Sequence, residues 1–247
     1  MHPLILIPAR YASTRFPGKP LAELAGKPMI RHVAERASEA YPDVYVATDD
    51  ERILRAVQAF GGKAVMTAAS HASGTDRCFE AYRSVAAETG ASYDVVVNVQ
   101  GDEPFVRPEQ IRSLVNCFAR PEIQIATLAA RITRQEDITD PNKVKVVFSE
   151  QGRALYFSRS PIPCCRGAEI SDWLERADYY KHIGMYAYRP EVLREITSLP
   201  CGKLEKAESL EQLRWLEHHY AIAVELTGYE SIGIDTPADL EEARKWS

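Results

Sequence analysis

Apolar residues follow two rhythms along this chain, and its first half alternates between them. Residues 4–7 form a short continuous apolar run, the pattern of a strand covered on both faces. Ile30, Val33, Ala34 and Ala37 then recur at helical spacing, and Pro42 closes the segment. The pair repeats: residues 44–47 read as a second strand, and Ile53, Leu54, Val57 and Phe60 as a helix that Gly61-Gly62 stops. Residues 63–66 give a short third strand. After the polar stretch 71–77 comes a helix with Phe79, Tyr82, Val85 and Ala86 inward. Residues 93–99 are the strongest strand signal, rich in valine and largely non-alternating, as in a central parallel strand. The helix after Pro108 is carried by Ile111, Leu114, Val115 and Phe118. Four strand–helix alternations in about 120 residues predict a mostly parallel sheet with helices on both faces.

From there the rhythm changes. Residues 123–129, 144–148, 154–158 and 183–188 are strands with few helices between them, so residues from about 125 to 190 are expected as a mixed sheet inserted into the first unit. The loop 159–180 is long and polar, a length that suits a lid or an interface arm. Helical periodicity returns at 190–196 and over 204–219; residues 221–226 make a late strand, and Pro237 opens a last helix with Asp239 in its first turn. No repeat or linker divides the chain, so residues 1–247 are expected as a single domain.

Composition narrows the functions. The net charge is −5 with no basic tail, which argues against general nucleic-acid binding but leaves room for a local cationic pocket. No run approaches eighteen apolar residues, and the apolar start is only four residues long, so the expectation is a cytoplasmic protein that neither crosses nor binds a membrane. Five cysteines without a C-x-x-C pair argue against a disulfide framework. Neighbours Cys164 and Cys165 would point in opposite directions on a strand, which disfavours a redox or metal pair.

Candidate chemistry gathers where strands end. Arg10, Arg15 and Lys19, with Ser13 and Thr14, stand in the loop after the first strand. Such cations repel one another unless a polyanion or carboxylates sit among them, so the loop reads as a phosphate site or as a solvated surface loop. It matches neither the Walker loop nor the dinucleotide fingerprint. Asp102, in Gln100-Gly101-Asp102-Glu103-Pro104, stands beyond the central strand, where open α/β sheets bind ligands; Asp235 follows another short apolar run. Either is a candidate magnesium ligand, or a turn or helix-capping aspartate. His182 and Tyr186 share one side of a strand with Gly184 between them, a functional pair or an ordinary structural one.

Taken together, Ile7-Pro8-Ala9-Arg10-Tyr11-Ala12-Ser13-Thr14-Arg15-Phe16-Pro17-Gly18-Lys19-Pro20 closely resembles the opening of the 3-deoxy-manno-octulosonate (Kdo) cytidylyltransferases of lipopolysaccharide synthesis. The resemblance continues through Ser73-Gly74-Thr75-Asp76-Arg77, Val97-Asn98-Val99-Gln100-Gly101-Asp102-Glu103-Pro104, Ala154-Leu155-Tyr156-Phe157-Ser158-Arg159, His182-Ile183-Gly184-Met185-Tyr186, Leu210-Glu211-Gln212-Leu213-Arg214 and Asp235-Thr236-Pro237. It covers nearly the whole chain. It implies a nucleotide-diphospho-sugar transferase-like three-layer α/β/α fold with a smaller mixed-sheet region for homodimerisation. The implied reaction joins CTP to Kdo, giving CMP-Kdo and pyrophosphate with Mg2+.

By the same resemblance Arg10, Ser13 and Lys19 meet the CTP phosphates, Arg15 is a supporting charge of the same nucleotide-binding loop, and His71, Ser73, Gly74 and Asp76 belong to the cytidine loop. Asp102 and Asp235 match metal ligands, and Arg10, Lys19, Asp102 and Asp235 carry catalysis. Gln100, Arg159, His182, Tyr186, Glu211 and Gln212 match residues on or near the sugar, with Arg159 as a clamp for its carboxylate. Cys164-Cys165 stands where many relatives carry an aromatic residue, which bears on what covers the sugar. Three rival readings stand beside this one: a cytidylyltransferase for a related acid such as 8-amino-Kdo, a glycosyltransferase of the same fold, and a non-catalytic nucleotide-binding protein.

Overall fold

The computed structural model describes residues 1–12, 15–230 and 233–246. Nine strands of these residues join in one sheet: β1 Pro3–Ala9, β2 Val44–Thr48, β3 Lys63–Met66, β4 Val95–Asn98, β5 Ile125–Arg131, β6 Lys145–Phe148, β7 Ala154–Ser158, β8 Tyr180–Tyr188 and β9 Ile222–Leu226. The order is β9-β5-β8-β4-β1-β2-β3, with β6 pairing β8 and β7 at the side. β4, β1, β2 and β3 run parallel, and β8 enters antiparallel between β4 and β5.

The continuous apolar run of β1 is explained by its place. Leu4, Ile5, Leu6 and Ile7 have no exposed surface. Ile5 and Ile7 pack on one layer with Ile30, Val33, Ile111 and Leu114, and Leu4 and Leu6 pack on the other with Cys78, Ala81, Val85, Leu193 and Leu213. The first layer draws on helices α1 Met29–Ala40, α2 Glu51–Ala59 and α4 Pro108–Cys117, and the second on α3 Gly74–Thr89. This is the three-layer α/β/α fold, with β1 covered on both sides.

Several expectations change in detail. In α3 the fully buried stripe is Cys78, Ala81 and Val85, whereas Phe79, Tyr82 and Ala86 are half-buried at its flanks. Small side chains against the sheet let the helix lie close, and the aromatic rings close the seam beside it. The helix expected over 204–219 is broken into Lys203–Glu208 and Gln212–Glu217, with Ser209 in the left-handed region at φ 53°. Arg159 takes the carbonyls of Glu208 at 2.7 Å and Ser209 at 3.4 Å, so oxygens that a continuous helix would use internally are spent elsewhere. The region 125–190 shares the main sheet rather than standing apart from it, since β5 and β8 lie inside it and β6 and β7 project from β8. The polar loop 159–180 has a small core of its own, where Trp173 and Tyr179 stack at 5.8 Å over Ile132 and Ile138.

Backbone crowding fixes the segment after β4. A Cβ on Gly101 would stand 2.8 Å from the carbonyl oxygen of Pro8 and 3.6 Å from Ala9 and Ile30 side chains. Gly101→Ala is therefore expected to cost about 1–3 kcal/mol of stability, read as a lower urea midpoint at unchanged slope. An unaltered midpoint would contradict this packing.

Candidate active site

Three backbone segments meet beyond the C-terminal ends of β1 and β4. The loop after β1 folds back on itself, with the Gly18 amide donating to the Tyr11 carbonyl at 2.9 Å and Gly18 at φ +73°, a conformation that favours glycine. A single 3-10 turn, Lys19–Leu21, follows. Asp102 leaves the Gly101 constriction, and the Ile234 amide donates to its carbonyl at 2.9 Å, tying the Asp235 segment alongside. The last helix, Pro237–Ala243, is capped by Thr236, whose hydroxyl accepts from the Asp239 amide at 3.2 Å while Asp239 accepts from the amides of Thr236 and Asp235. Asp235 is thus spared the capping role and its carboxylate is free to turn outward.

What it turns toward is Lys19. The Lys19 ammonium donates to Asp102 Oδ2 at 2.6 Å and to Asp235 Oδ1 at 3.2 Å, and the Arg15 guanidinium stands 3.1 Å from Asp235. Lys19 is the most sheltered of the three, with 13% of its side chain exposed against 31% for Asp102 and 46% for Asp235. The ion pairs border a cavity of about 330 Å³ lined by Pro8, Ala9, Arg10, Arg15, Lys19, Pro20, His71, Ala72, Ser73, Gly74, Arg77, Gln100, Gly101, Asp102 and Asp235. The N-terminus of α3 forms one wall, where Ser73 Oγ accepts from the Asp76 amide at 3.1 Å; aligned peptide dipoles make that wall electropositive. Among the described residues Arg10 makes no ion pair, so its guanidinium is available to a ligand. His71 instead engages the Glu80 carboxylate through Nε2.

A second polar cluster adjoins this cavity. Gln100 lines the cavity and donates through Nε2 to the Gly184 carbonyl at 3.1 Å. Glu211 lies beside the start of α3, its carboxylate accepting from Thr75 Oγ1 at 2.6 Å, and burial pushes its pKa up. Between Ile183 and Tyr186 the pairing of β8 with β5 skips two residues, Gly184 and Met185. An even insertion keeps the side-chain alternation, so His182 and Tyr186 still share a side, with rings 5.3 Å apart. Thr127 Oγ1 lies 2.8 Å from the Met185 carbonyl and 3.0 Å from His182 Nε2. A hydroxyl has one proton to give; spent on the carbonyl, it accepts from Nε2–H and leaves Nδ1 as the acceptor. Burial pushes the His182 pKa down to about 3.

Buried polar atoms without hydrogen-bond partners mark the same neighbourhood: Tyr186 OH, Tyr188 OH, Asn98 Oδ1, Gln212 Nε2 and Trp215 Nε1. Asn98 is the register partner of Tyr186, and the Trp215 ring stands 5.0 Å from that of Tyr186 and 5.7 Å from that of Tyr188. Native interiors leave few such groups unpaired, so their gathering around Tyr186 and Trp215 sets this neighbourhood apart among the described residues.

Of the sequence-predicted site residues, Arg10, Arg15, Lys19, His71, Ser73, Gly74, Gln100, Asp102 and Asp235 share the cavity. Asp76 stands in the first turn of α3, and Ser13 lies outside the described residues. His182, Tyr186, Glu211 and Gln212 belong to the adjoining cluster. Arg159 is not brought to the cavity: its guanidinium donates to the carbonyls of Glu208, Pro141 and Ser209, and it holds a turn. Sequence reasoning passed over Arg77, a buried arginine on the cavity wall whose guanidinium donates to Thr67 Oγ1 at 2.6 Å and Asp49 Oδ2 at 2.7 Å. The available signal was its place one helical turn after the capping Ser73.

A cationic loop, a helix N-terminus and paired carboxylates at the carboxyl edge of a parallel sheet define a nucleotide-binding α/β protein built to handle phosphates. Comparison with known proteins takes this further. A family model for cytidylyltransferases matches residues 4–224, and the chain belongs to that family. It is 56% identical over 242 residues to the 3-deoxy-manno-octulosonate cytidylyltransferase of Parabacteroides distasonis, covering 96% of this chain and 95% of that one. It is 48% identical over 250 residues to the 8-amino-3,8-dideoxy-manno-octulosonate cytidylyltransferase of Shewanella piezotolerans, covering 99% and 98%. Among solved structures, a CMP:2-keto-3-deoxy-manno-octonic acid synthetase complexed with CTP superposes with a TM-score of 0.90 at 44% identity, over 100% of this chain and 98% of that one.

The His182 environment has a measurable consequence. Unfolded, the imidazole takes a proton below its ordinary 6.5; folded, it does so only near 3. The unfolded state therefore binds more protons between these values, and stability falls as pH drops through that window. The urea midpoint is expected to decline from pH 6.5 toward 3, less steeply in His182→Gln, while the imidazole nitrogen shifts of His182 stay flat from pH 8 to 5.

Proposed function

We propose that this enzyme transfers CMP from CTP to Kdo, giving CMP-Kdo and pyrophosphate. The observation that carries the reading is the Lys19 ammonium between Asp102 and Asp235 on the wall of a cavity that also holds Arg10 and the N-terminus of α3. Phosphates and a divalent cation are the groups such an arrangement answers, and the close relatives supply cytidine and the eight-carbon acid.

The donor set fits magnesium. Asp102 and Asp235 offer hard oxygen ligands from two segments held side by side, and magnesium commonly takes one or two carboxylates with substrate phosphates and water. When bound, the ion would neutralise phosphate charge and acidify the attacking hydroxyl. The chain's own residues do the rest. Arg10, Arg15 and Lys19 hold the triphosphate against the electropositive start of α3, and Arg10 and Lys19 stabilise the charge that grows on the departing pyrophosphate. His71, Ser73, Gly74 and Asp76 shape the nucleoside side. Gln100, His182, Tyr186, Glu211 and Gln212 position the sugar so that its anomeric hydroxyl faces the α-phosphorus, which replaces a chance collision by a fixed approach. His182 is held neutral by burial, so it serves as a hydrogen-bonding group there rather than as a charge. Arg159 contributes through the turn it braces, just ahead of Glu211.

The projecting β6–β7 region is the face on which we place a homodimer contact. Leu155 on edge strand β7 is 62% exposed, apolar surface that a second copy would cover, and Ile170 in the loop that follows is 41% exposed. Among the described residues no helix is long and apolar enough to cross a membrane. Dependence on CTP and five unpaired cysteines suit the cytoplasm.

Pyrophosphate release tests the reaction directly. Each nucleoside triphosphate is incubated with magnesium and with Kdo, 8-amino-Kdo or sialic acid. Release with CTP and Kdo is expected; release with 8-amino-Kdo and none with Kdo would move the chain to the specificity of the Shewanella relative, and release with UTP would overturn the nucleotide assignment. Asp102→Ala is expected to lower turnover by about 1,000-fold. Its affinity for metal-free CTP should be kept or raised, because one carboxylate is removed and Lys19 is released toward the phosphates.

A further inference from the structure

The loop that carries Arg10, Arg15 and Lys19 must hold like charges together before any ligand arrives, and its neck is where that is decided. At the neck the Gly18 amide closes on the Tyr11 carbonyl at 2.9 Å, and Lys19 follows directly. The Tyr11 ring lies against this closure: a Cβ on Gly18 would stand 3.1 Å from its Cζ and hydroxyl oxygen. The same ring is covered by the guanidinium of Arg52, whose central carbon is 3.3 Å from the ring centre.

Arg52 is held in that position by a fork. Its Nε donates to Asp50 Oδ1 at 2.9 Å and its Nη2 to Asp50 Oδ2 at 2.6 Å, while Asp50 Oδ1 also accepts the Arg52 amide at 2.9 Å as the cap of α2. The carboxylate fixes the plane of the guanidinium and cancels its charge, so Arg52 adds a flat lid to Tyr11 without adding a net positive charge beside the loop. Arg52 is not among the residues lining the cavity, and its side chain is 58% exposed. An exposed pair two residues apart has little to offer global stability.

We propose that Asp50, Arg52 and Tyr11 form a brace that preorganises the phosphate loop, with Arg52 acting on nucleotide binding through Tyr11 rather than by contact. The brace carries the rigidity of the α2 N-terminus across to Gly18 and so sets where Lys19 begins. This inference rests on reading that loop as the triphosphate cradle. Losing the stack opens alternative loop states, and nucleotide must then select one; once it is bound, the reacting groups are where they were.

The test compares Arg52→Ala, Tyr11→Leu and Tyr11→Phe in the full chain. Arg52→Ala and Tyr11→Leu are expected to raise KM for CTP about three- to fivefold with kcat within about twofold, the scale of a partly exposed cation–π contact. Tyr11→Phe keeps the ring and should match the parent. Hydrogen exchange at the Gly18 and Lys19 amides, measured without nucleotide, should quicken in the first two variants and not in the third, with the rest of the pattern unchanged. Unaltered exchange and KM in Arg52→Ala would overturn the brace, as would a loss spread over the whole chain. If exchange responds as expected while the parent neither binds nor turns over CTP, the brace stands and the cradle reading fails.

Discussion

One ammonium between two carboxylates organises this site. Without Lys19, Asp102 and Asp235 would face each other across the end of the sheet with only the exposed Arg15 guanidinium, on Asp235, to offset them; with it, at 2.6 and 3.2 Å, the segment after β4 and the segment before the last helix are drawn to the loop after β1. The interaction is strong because Lys19 is largely sheltered, and replaceable because both carboxylates are partly open to solvent. A triphosphate brings more negative charge than the two aspartates, and a divalent cation brings more positive charge than one lysine. On the proposed function, the contact that gathers these three segments is the one a metal-bound nucleotide would rearrange.

That exchange requires the three segments to arrive at one place, and the sheet supplies the place. β1 and β4 are parallel neighbours, so the residues leaving them emerge on one edge, and Gly101 allows the second exit to pass against the Pro8 carbonyl. The third segment is pinned by a backbone hydrogen bond to Asp102, and its cap is made by Thr236 and Asp239, which leaves the Asp235 carboxylate outside the capping hydrogen bonds. Position comes from backbone and charge from side chains.

Much of this was legible in the sequence because it is local. β1 and β4 reveal themselves as unbroken apolar runs, and the loop cations and Asp102 stand immediately after them. What escaped was set by partners distant along the chain. Nothing near residue 209 announces a helix break; where it occurs, Arg159, some fifty residues earlier, takes the carbonyls of Glu208 and Ser209. By the same contact Arg159 is engaged with backbone carbonyls, away from the residues that line the nucleotide cavity. Arg77 stands among other polar residues at a helix start, and its buried guanidinium is met by Asp49 and Thr67, each just past the end of a strand that only the fold brings near. The mixed region could be seen as strands, but not that β8 would enter between β4 and β5.

That entry is what joins the nucleotide cavity to the acceptor side. β8 carries a two-residue insertion at Gly184 and Met185 opposite β5, and Gln100, on the cavity wall, donates to the Gly184 carbonyl exposed by it. Had the insertion been one residue, the alternation would have reversed and Tyr186 would have faced the opposite layer from His182. Two residues keep both rings on the side of Glu211 and Gln212, and the Thr127 hydroxyl donates to the displaced Met185 carbonyl at 2.8 Å from within the sheet. Among the described residues, the buried polar side-chain atoms left without partners lie in this neighbourhood: Tyr186 OH, Tyr188 OH, Asn98 Oδ1, Gln212 Nε2 and Trp215 Nε1. Unpaired buried groups are costly, and functional sites are where folds tolerate such costs, so their gathering beside the Gln100–Gly184 contact is in keeping with the acceptor side of the proposed function.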